Sequence, residues 1–371
     1  MPHTPEPDED DLDTLAPPQP VFHVEQALLG ALLLDPHRQD DITGIAADSF
    51  STAAHAALYG AITTLPRPDP AEHATDTQWL DRVLAQAQER ARGLTASYLH
   101  ALVQVCPWPR HAGAYARMVE AEHARRRMQK AAERLVHAAH NTTFPHPVRN
   151  VLAEADALTT LVDDIAERFP PRAGMLPHTA APPPAAPDLP EVVEEEQILL
   201  ATATAHPADL DAVRWLVPDD LTVPLHGGLW QCLTALARRR EPVDPVTVLW
   251  EAQLRGLLEP GRDPGEVLRM LSQPHVAVEH WGERVLRRSL LATAGDTGRR
   301  IGAYAADPAN TPFQLVVGAR RGLAGIAAVR ARWQHAAEGT PPRRQGTAPT
   351  ARAGPPTTRA AHPARSTRTN R

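Results

Sequence analysis

The chain is almost without lysine. Among its 371 residues only Lys130 is one, and arginine supplies the remaining fixed positive charge. A phosphate-cradling G-x-x-x-x-G-K-[ST] loop needs a lysine to neutralise the β and γ phosphates of a nucleotide. Lys130 stands instead in Arg125-Arg126-Arg127-Met128-Gln129-Lys130-Ala131-Ala132, a helical stretch with no glycine near it. These residues therefore hold no NTP-driven motor. Cysteine is equally scarce: Cys106 and Cys232 lie far apart without metal-ligand spacing, which implies neither a disulfide framework nor a zinc site. Neither H-E-x-x-H nor G-x-S-x-G occurs, and no cysteine stands beside a plausible base, so no enzyme and no cofactor are expected. Aromatic residues make up only 4%, which leaves Leu, Val, Ile and Ala to build any core and favours small helical domains over sheets. No apolar run approaches the roughly 20 residues of a membrane span, and no signal peptide opens the chain. The expected setting is cytoplasmic, with no membrane partner.

Proline, by contrast, is abundant, and the 38 prolines gather where tails and linkers would lie. The net charge of −6 is unevenly spread. Residues 1–20 form an acidic leader carrying Glu6, Asp8, Glu9, Asp10, Asp11 and Asp13. Residues 336–371 form a basic tail with Arg343, Arg344, Arg352, Arg359, Arg365, Arg368 and Arg371. Both ends lack residues for a core and are expected to be disordered. Residues 170–190, rich in Pro and Ala, read as an extended, solvated linker. Between these segments lie two helical blocks, 21–169 and 191–335. The abundance of Arg, Ala, Pro and Gly reflects a GC-rich coding sequence and does not by itself mark phosphate binding.

In the first block Val24, Ala27, Leu28, Ala31 and Leu32 recur at helical spacing until Asp35-Pro36 stops the run. Ser51 or Thr52 caps a second helix with Leu58, Ile62 and Leu65 on its buried face. Residues 66–76 read as a loop, and helical patterns follow over about 79–92, 97–105, 111–139 and 147–168. The second block repeats the first. A shift of 171 positions lays Glu25–Leu65 on Glu196–Leu236 without a gap, at roughly a quarter identity over some forty positions. Pro36 meets Pro207, Asp48 meets Asp219, His55 meets His226, and Tyr59 meets Trp230. Leu and Ala matches come cheaply in this composition, but that register of Pro, His and aromatic residues does not.

Three segments carry a resemblance: Glu25-Gln-Ala-Leu-Leu-Gly-Ala-Leu-Leu-Leu-Asp-Pro36, Asp48-Ser-Phe50 and His55-Ala-Ala-Leu-Tyr-Gly-Ala-Ile62. Together they resemble the N-terminal domain of DnaB-type replicative helicases. Tyr98–Leu102, Tyr115–Glu120 and Arg125–Arg127 resemble that family's closing helices. The second block replaces the glycine by Ala201 but keeps Pro242-Val-Asp-Pro-Val-Thr-Val248, which resembles the family's helix entry and has no counterpart in the first block. The resemblance implies an all-α protein of two tandem helical bundles, each closed by a hairpin of long helices. In the helicase such hairpins pair subunits into a ring collar and receive the primase. It thus implies an interaction protein of DNA replication whose partners are a helicase, a primase or itself.

Simple structural roles cover most of the marked residues. Glu25 reads as an acid favoured by the helix dipole, His55 and His226 as turn-closing or surface residues, and Tyr59 and Trp230 as core aromatics. The two hairpins are expected to pack on each other through Tyr115, Met118, Val119, Met128 and Leu135 of the first, with Trp281, Val285, Leu286, Leu290 and Leu291 of the second. The competing arrangement is two independent domains on a Pro-rich string. A second function class is non-specific nucleic-acid binding through Arg125, Arg126, Arg127 and Lys130, or through Arg343, Arg344, Arg352 and Arg359 of the tail. A decayed helicase fragment is a third reading.

Overall fold

The computed structural model describes residues 19–337 apart from 142, 144, 171–175, 184–189, 259, 262 and 274–276. The acidic leader and the tail arginines Arg343, Arg344, Arg352 and Arg359 thus lie outside the described residues. Every regular element among the described residues is helical. The first block contains α1 (Pro20–Leu34), α2 (Ala53–Thr64), α3 (Pro70–His73), α4 (Gln78–Gln88) and α5 (Ala96–Val105), followed by the long α6 (Ala112–His140) and α7 (Pro147–Arg168). The second contains α8 (Pro190–Ala205), α9 (Pro224–Arg239), α10 (Pro245–Leu254) and α11 (Pro264–Leu271), then α12 (Val278–Ala306) and α13 (Pro312–Ala337). The short α3 falls within the stretch read as a loop, and α13 runs two residues past the expected boundary at 335.

Local chemistry sets these boundaries. Proline occupies the first turn of α1, α7, α9, α10 and α11, where its missing N–H costs nothing. Thr52 caps α2 by accepting from the His55 N–H at 3.1 Å, and Asp244 caps α10 by accepting from Val246 and Thr247. At the end of α1 the Asp35 side chain accepts from His37 N–H, so the chain turns into Pro36.

The helices form two heads and a central bundle. The first head closes around Leu28, Leu32, Leu58, Ile62, Trp79 and Leu102, all essentially without solvent contact. A second continuous core takes in the rest. It joins Met128, Leu135, Leu158 and Val162 of the first block to Leu199, Trp230, Leu290 and Ile301 of the second. The division at 169/191 that marks the duplication is therefore not where the cores divide, because the first block's hairpin shares its interior with the second block.

The described part of the linker, 176–183, is also not free in solvent at its start. Leu176 O accepts from Gln314 Nε2 at 2.8 Å, and His178 N–H donates to Asn310 Oδ1 at 2.8 Å. These bonds pin the segment to the turn between α12 and α13, in place of the solvated run expected from its composition.

Gly30 illustrates how one residue fixes a helix contact. Any Cβ there would collide with the Leu102 carbonyl of α5 and sit 2.9 Å from Cys106 Cβ. The second head carries a fully buried Ala201 at the matching place. Gly30→Ala should therefore destabilise the protein by about 1–3 kcal/mol through overpacking, measured by denaturant unfolding. An unchanged midpoint would show that α5 yields freely.

Candidate functional site: the paired hairpins

The helices α6 and α12 are each 29 residues long, about 43 Å at 1.5 Å per residue. Their first turns lie under their own heads. Val119 is buried in the first head's core and Tyr115 packs half-buried against it, while Gly282 of α12 faces Val213 and Trp215 of the second head. Beyond those turns the two helices leave their heads and meet. Gly295 lies against Ala139, Gly298 against Val136 and Ala132, and Ala305 near Arg125, so the helices run antiparallel. The crossing is close. A Cβ on Gly298 would come within 3.0 Å of the Ala132 carbonyl and 2.7 Å of Val136 Cγ2.

The outer helices follow the same arrangement. Phe169 meets Phe313 edge-on at 5.8 Å, Arg320 pairs with Asp163 at 2.8 Å, and Arg330 pairs with Asp156 at 2.5 Å. These exposed ion pairs contribute little energy, about 0–1 kcal/mol each, but they record the antiparallel register of α7 and α13. The result is a four-helix bundle with the heads at opposite ends. Its two halves are related as the two subunits of a twofold dimer would be.

Of the residues expected at this contact, Met128, Leu135, Leu286 and Leu290 lie buried in the shared core. Tyr115 and Val119 serve their own head, and Trp281 and Val285 hold the matching positions at the start of α12. Leu291 is half-buried against the shared core, whereas Met118 is 53% exposed and belongs to neither interior. The physical reason is that each long helix is apolar on two faces: Met128 stands nine residues and so about half a circle around α6 from Val119, and the two faces enter different cores.

Two of the four residues in the basic cluster are spent inside the molecule. The Arg125 guanidinium donates to the carbonyls of Ala305, Asp307, Pro308 and Asn310, at 3.3, 2.6, 3.1 and 3.0 Å. Those include unsatisfied acceptors at the C-terminus of α12, where a cation is doubly favoured. Arg126 donates to Ser49 O and Phe50 O, tying α6 to the first head. Neither is available to nucleic acid. Arg127 lies 3.8 Å from Asp164, and Lys130 is exposed.

A duplicated buried pair, read too modestly from sequence, positions each head. Glu25 is fully buried and accepts from the Ser51 N–H at 2.7 Å, the Ser51 hydroxyl at 2.8 Å and His55 Nδ1 at 2.6 Å. A carboxylate can only accept, so Nδ1 carries the proton. His55 Nε2 is bonded in turn to the Tyr98 hydroxyl of α5 at 2.7 Å. In the second head Glu196 accepts from Thr222 N–H at 2.7 Å, Val223 N–H at 3.2 Å and His226 Nδ1 at 2.8 Å, and Arg288 of α12 supplies a charge at 2.8 Å. Each carboxylate thus latches the first helix of its head onto the N-terminus of the second, whose dipole it complements. The joint recurrence of Glu and His at the 171-residue shift was the available signal for this latch.

No group of three His, Cys, Asp or Glu among the described residues could hold a metal, and burial pushes the Cys232 thiol up to about 11. No helix among the described residues is long and apolar enough to cross a membrane.

The model of the DnaB-like helicase N-terminal domain matches this chain twice, over residues 16–121 and 188–283, together more than half of its length. The chain belongs to the DnaB-like helicase N-terminal domain family. No curated protein and no solved structure matches it significantly. Both DnaB-type matches cover a head and the first turns of its long helix, and both include the Glu–His latch. The paired portions of the hairpins lie beyond the matched segments.

The second latch carries a pH signature. Burial opposes the charge on Glu196, but the bonds from His226, Thr222 and Val223 and the Arg288 charge outweigh it and hold its pKa below the usual glutamate range. Stability from this group is present above its unfolded pKa of about 4.3 and is lost as pH falls through the lower folded value. Glu196→Gln should cost about 3 kcal/mol at neutral pH, with the gap to the native chain narrowing below about pH 4. A gap that stays constant from pH 7 to pH 3 would rule out the latch as described.

Proposed function

We propose that this chain is a non-enzymatic interaction module of DNA replication, working in the cytoplasm as a ready-made pair of helicase N-terminal domains. The carrying observation is the presence of two DnaB-type domains in one chain whose long hairpins pack against each other. In this reading the fused pair reproduces one unit of a helicase collar without the motor. It engages the replicative helicase or the primase through the heads and the outer bundle faces, because the inner hairpin faces are already buried.

The reading is supported by the lack of a phosphate-cradling loop within the 371 residues and by the family of both domains. It is tested by mixing the full chain with the purified replicative helicase and primase encoded by the same genome. Sedimentation should show a complex with one of them, and the chain alone should hydrolyse no ATP above background. Failure to bind either protein at tens of micromolar, or ATP turnover that co-purifies with the chain, would contradict the proposal.

A further inference from the structure

Residues 176–179 of the linker fill a groove whose twin is open. In the second hairpin, Leu176–Thr179 lie across the groove between α12 and α13. Pro177 sits on Gly318, where a Cβ would come within 2.7 Å of the proline ring and 2.8 Å of Tyr304. Gln314 donates to Leu176 O, Asn310 holds the His178 N–H and the Thr179 hydroxyl, and that hydroxyl also donates to the Asp307 carboxylate.

The equal lengths of α6 and α12 place Ala138 where Tyr304 stands and Asn141 where Asp307 stands. Asn141 and Asp307 are both the residues that end their helices. The initial prolines of α7 and α13 likewise match Arg149 to Gln314 and Ala153 to Gly318. In the first hairpin this region is an open groove of about 710 Å³, lined by Ala138, Asn141, Asn150 and Ala153 and flanked by charged residues of both signs, among them Lys130 and Glu133.

Pro-His-Thr occurs twice in the chain. One copy is Pro177-His178-Thr179, which fills the second groove, and the other is Pro2-His3-Thr4. Each precedes the first helix of its own block. We propose that Pro2-His3-Thr4 docks in cis into the groove between α6 and α7, as Pro177-His178-Thr179 docks between α12 and α13. These residues lie outside the described ones, and the proposal is independent of any replication partner.

The chemistry of the groove suits this occupant. Ala138 in place of the tyrosine leaves room for the proline ring beside Ala153. The Asn141 side chain, which now accepts from Thr143 at 2.8 Å, offers the Thr4 hydroxyl the acceptor that Asp307 offers Thr179. Arg149, which matches Gln314 in register, lines the neighbouring hollow with Leu152, Asp156 and Arg330, so on this side Asn150 is the amide donor beside the groove. The charged lining is balanced, with Lys130 and Arg134 against Glu133 and Glu154, and Arg134 is paired with Glu154 at 3.2 Å, so the fit rests on the tripeptide and not on the acids that follow it.

Reach is sufficient for closure within one chain. Eleven steps from Thr179 to Pro190 cover the distance from groove to head in the second block, and sixteen are available from Thr4 to Pro20. Sixteen residues extend to about 53 Å, against about 36 Å for eleven.

Hydrogen exchange on the full chain and on a chain lacking residues 2–16 tests the proposal. Deletion should speed exchange across 138–153 at least fivefold and leave 304–318 unchanged. A fluorescent peptide of residues 2–10 should bind the deleted chain but not the full one. Ala153→Trp, at an exposed position, should abolish that binding. Unchanged exchange, or equal binding by a peptide with Ala-Ala-Ala in place of Pro-His-Thr, would overturn it. Protection that grows with protein concentration would assign the groove to a second copy and contradict closure in cis.

Discussion

Where α6 crosses α12, Gly298 presents no side chain to the Ala132 carbonyl, and the two backbones come close enough for Val136 to pack directly on the glycine. Much of the remaining architecture depends on that approach. It brings Met128 and Leu135 into one interior with Leu290 and Ile301, and it sets Arg125 against the open carbonyls at the end of α12. It also sends the two heads to opposite ends of the bundle. An isolated hairpin would leave this apolar face in water, and association between separate chains would cost translational freedom. Joining the copies converts that association into an intramolecular step at an effective concentration near the millimolar range.

The heads depend on a different interaction, used twice. A buried carboxylate is tolerated only when hydrogen-bonded: Glu25 meets that condition with the N–H and hydroxyl of Ser51 and with His55, and Glu196 with the N–H groups of Thr222 and Val223 and with His226. The two latches differ on their outer side. Tyr98 of α5 backs His55 in the first head, whereas Arg288 of α12 backs Glu196 in the second. The second head is thereby tied by charge to the long helix beneath it, and the first is tied to α6 by Arg126 instead.

Much of this was legible in the sequence. The duplication, the helix bounds near 111–139 and 147–168, and the family resemblance followed from register and from a few residues that cannot match by composition alone. The partition of the hairpin residues is not drawn from sequence: Val119 and Met128 are expected there on one contact surface, although nine residues put them about half a circle apart on α6, one in the head's core and the other in the shared core. Arg125 likewise reads as part of a solvated cluster until the end of α12 is placed beside it. Proline-rich composition gave no sign that residues 176–179 would be held, since the groove that holds them is assembled from residues more than a hundred positions away.

The central claim is that the two hairpins pair within a single chain. Ala139 Cβ lies 3.5 Å from where a Cβ on Gly295 would stand, a separation suited to a disulfide. The most direct measurement is oxidation of the chain bearing Ala139→Cys and Gly295→Cys, with Cys106 and Cys232 replaced by alanine. At about 10 μM the account predicts an intrachain bond in nearly every molecule and no covalent dimer, as read by mass and non-reducing electrophoresis. Interchain dimers, or thiols that stay free under oxidation, would contradict it.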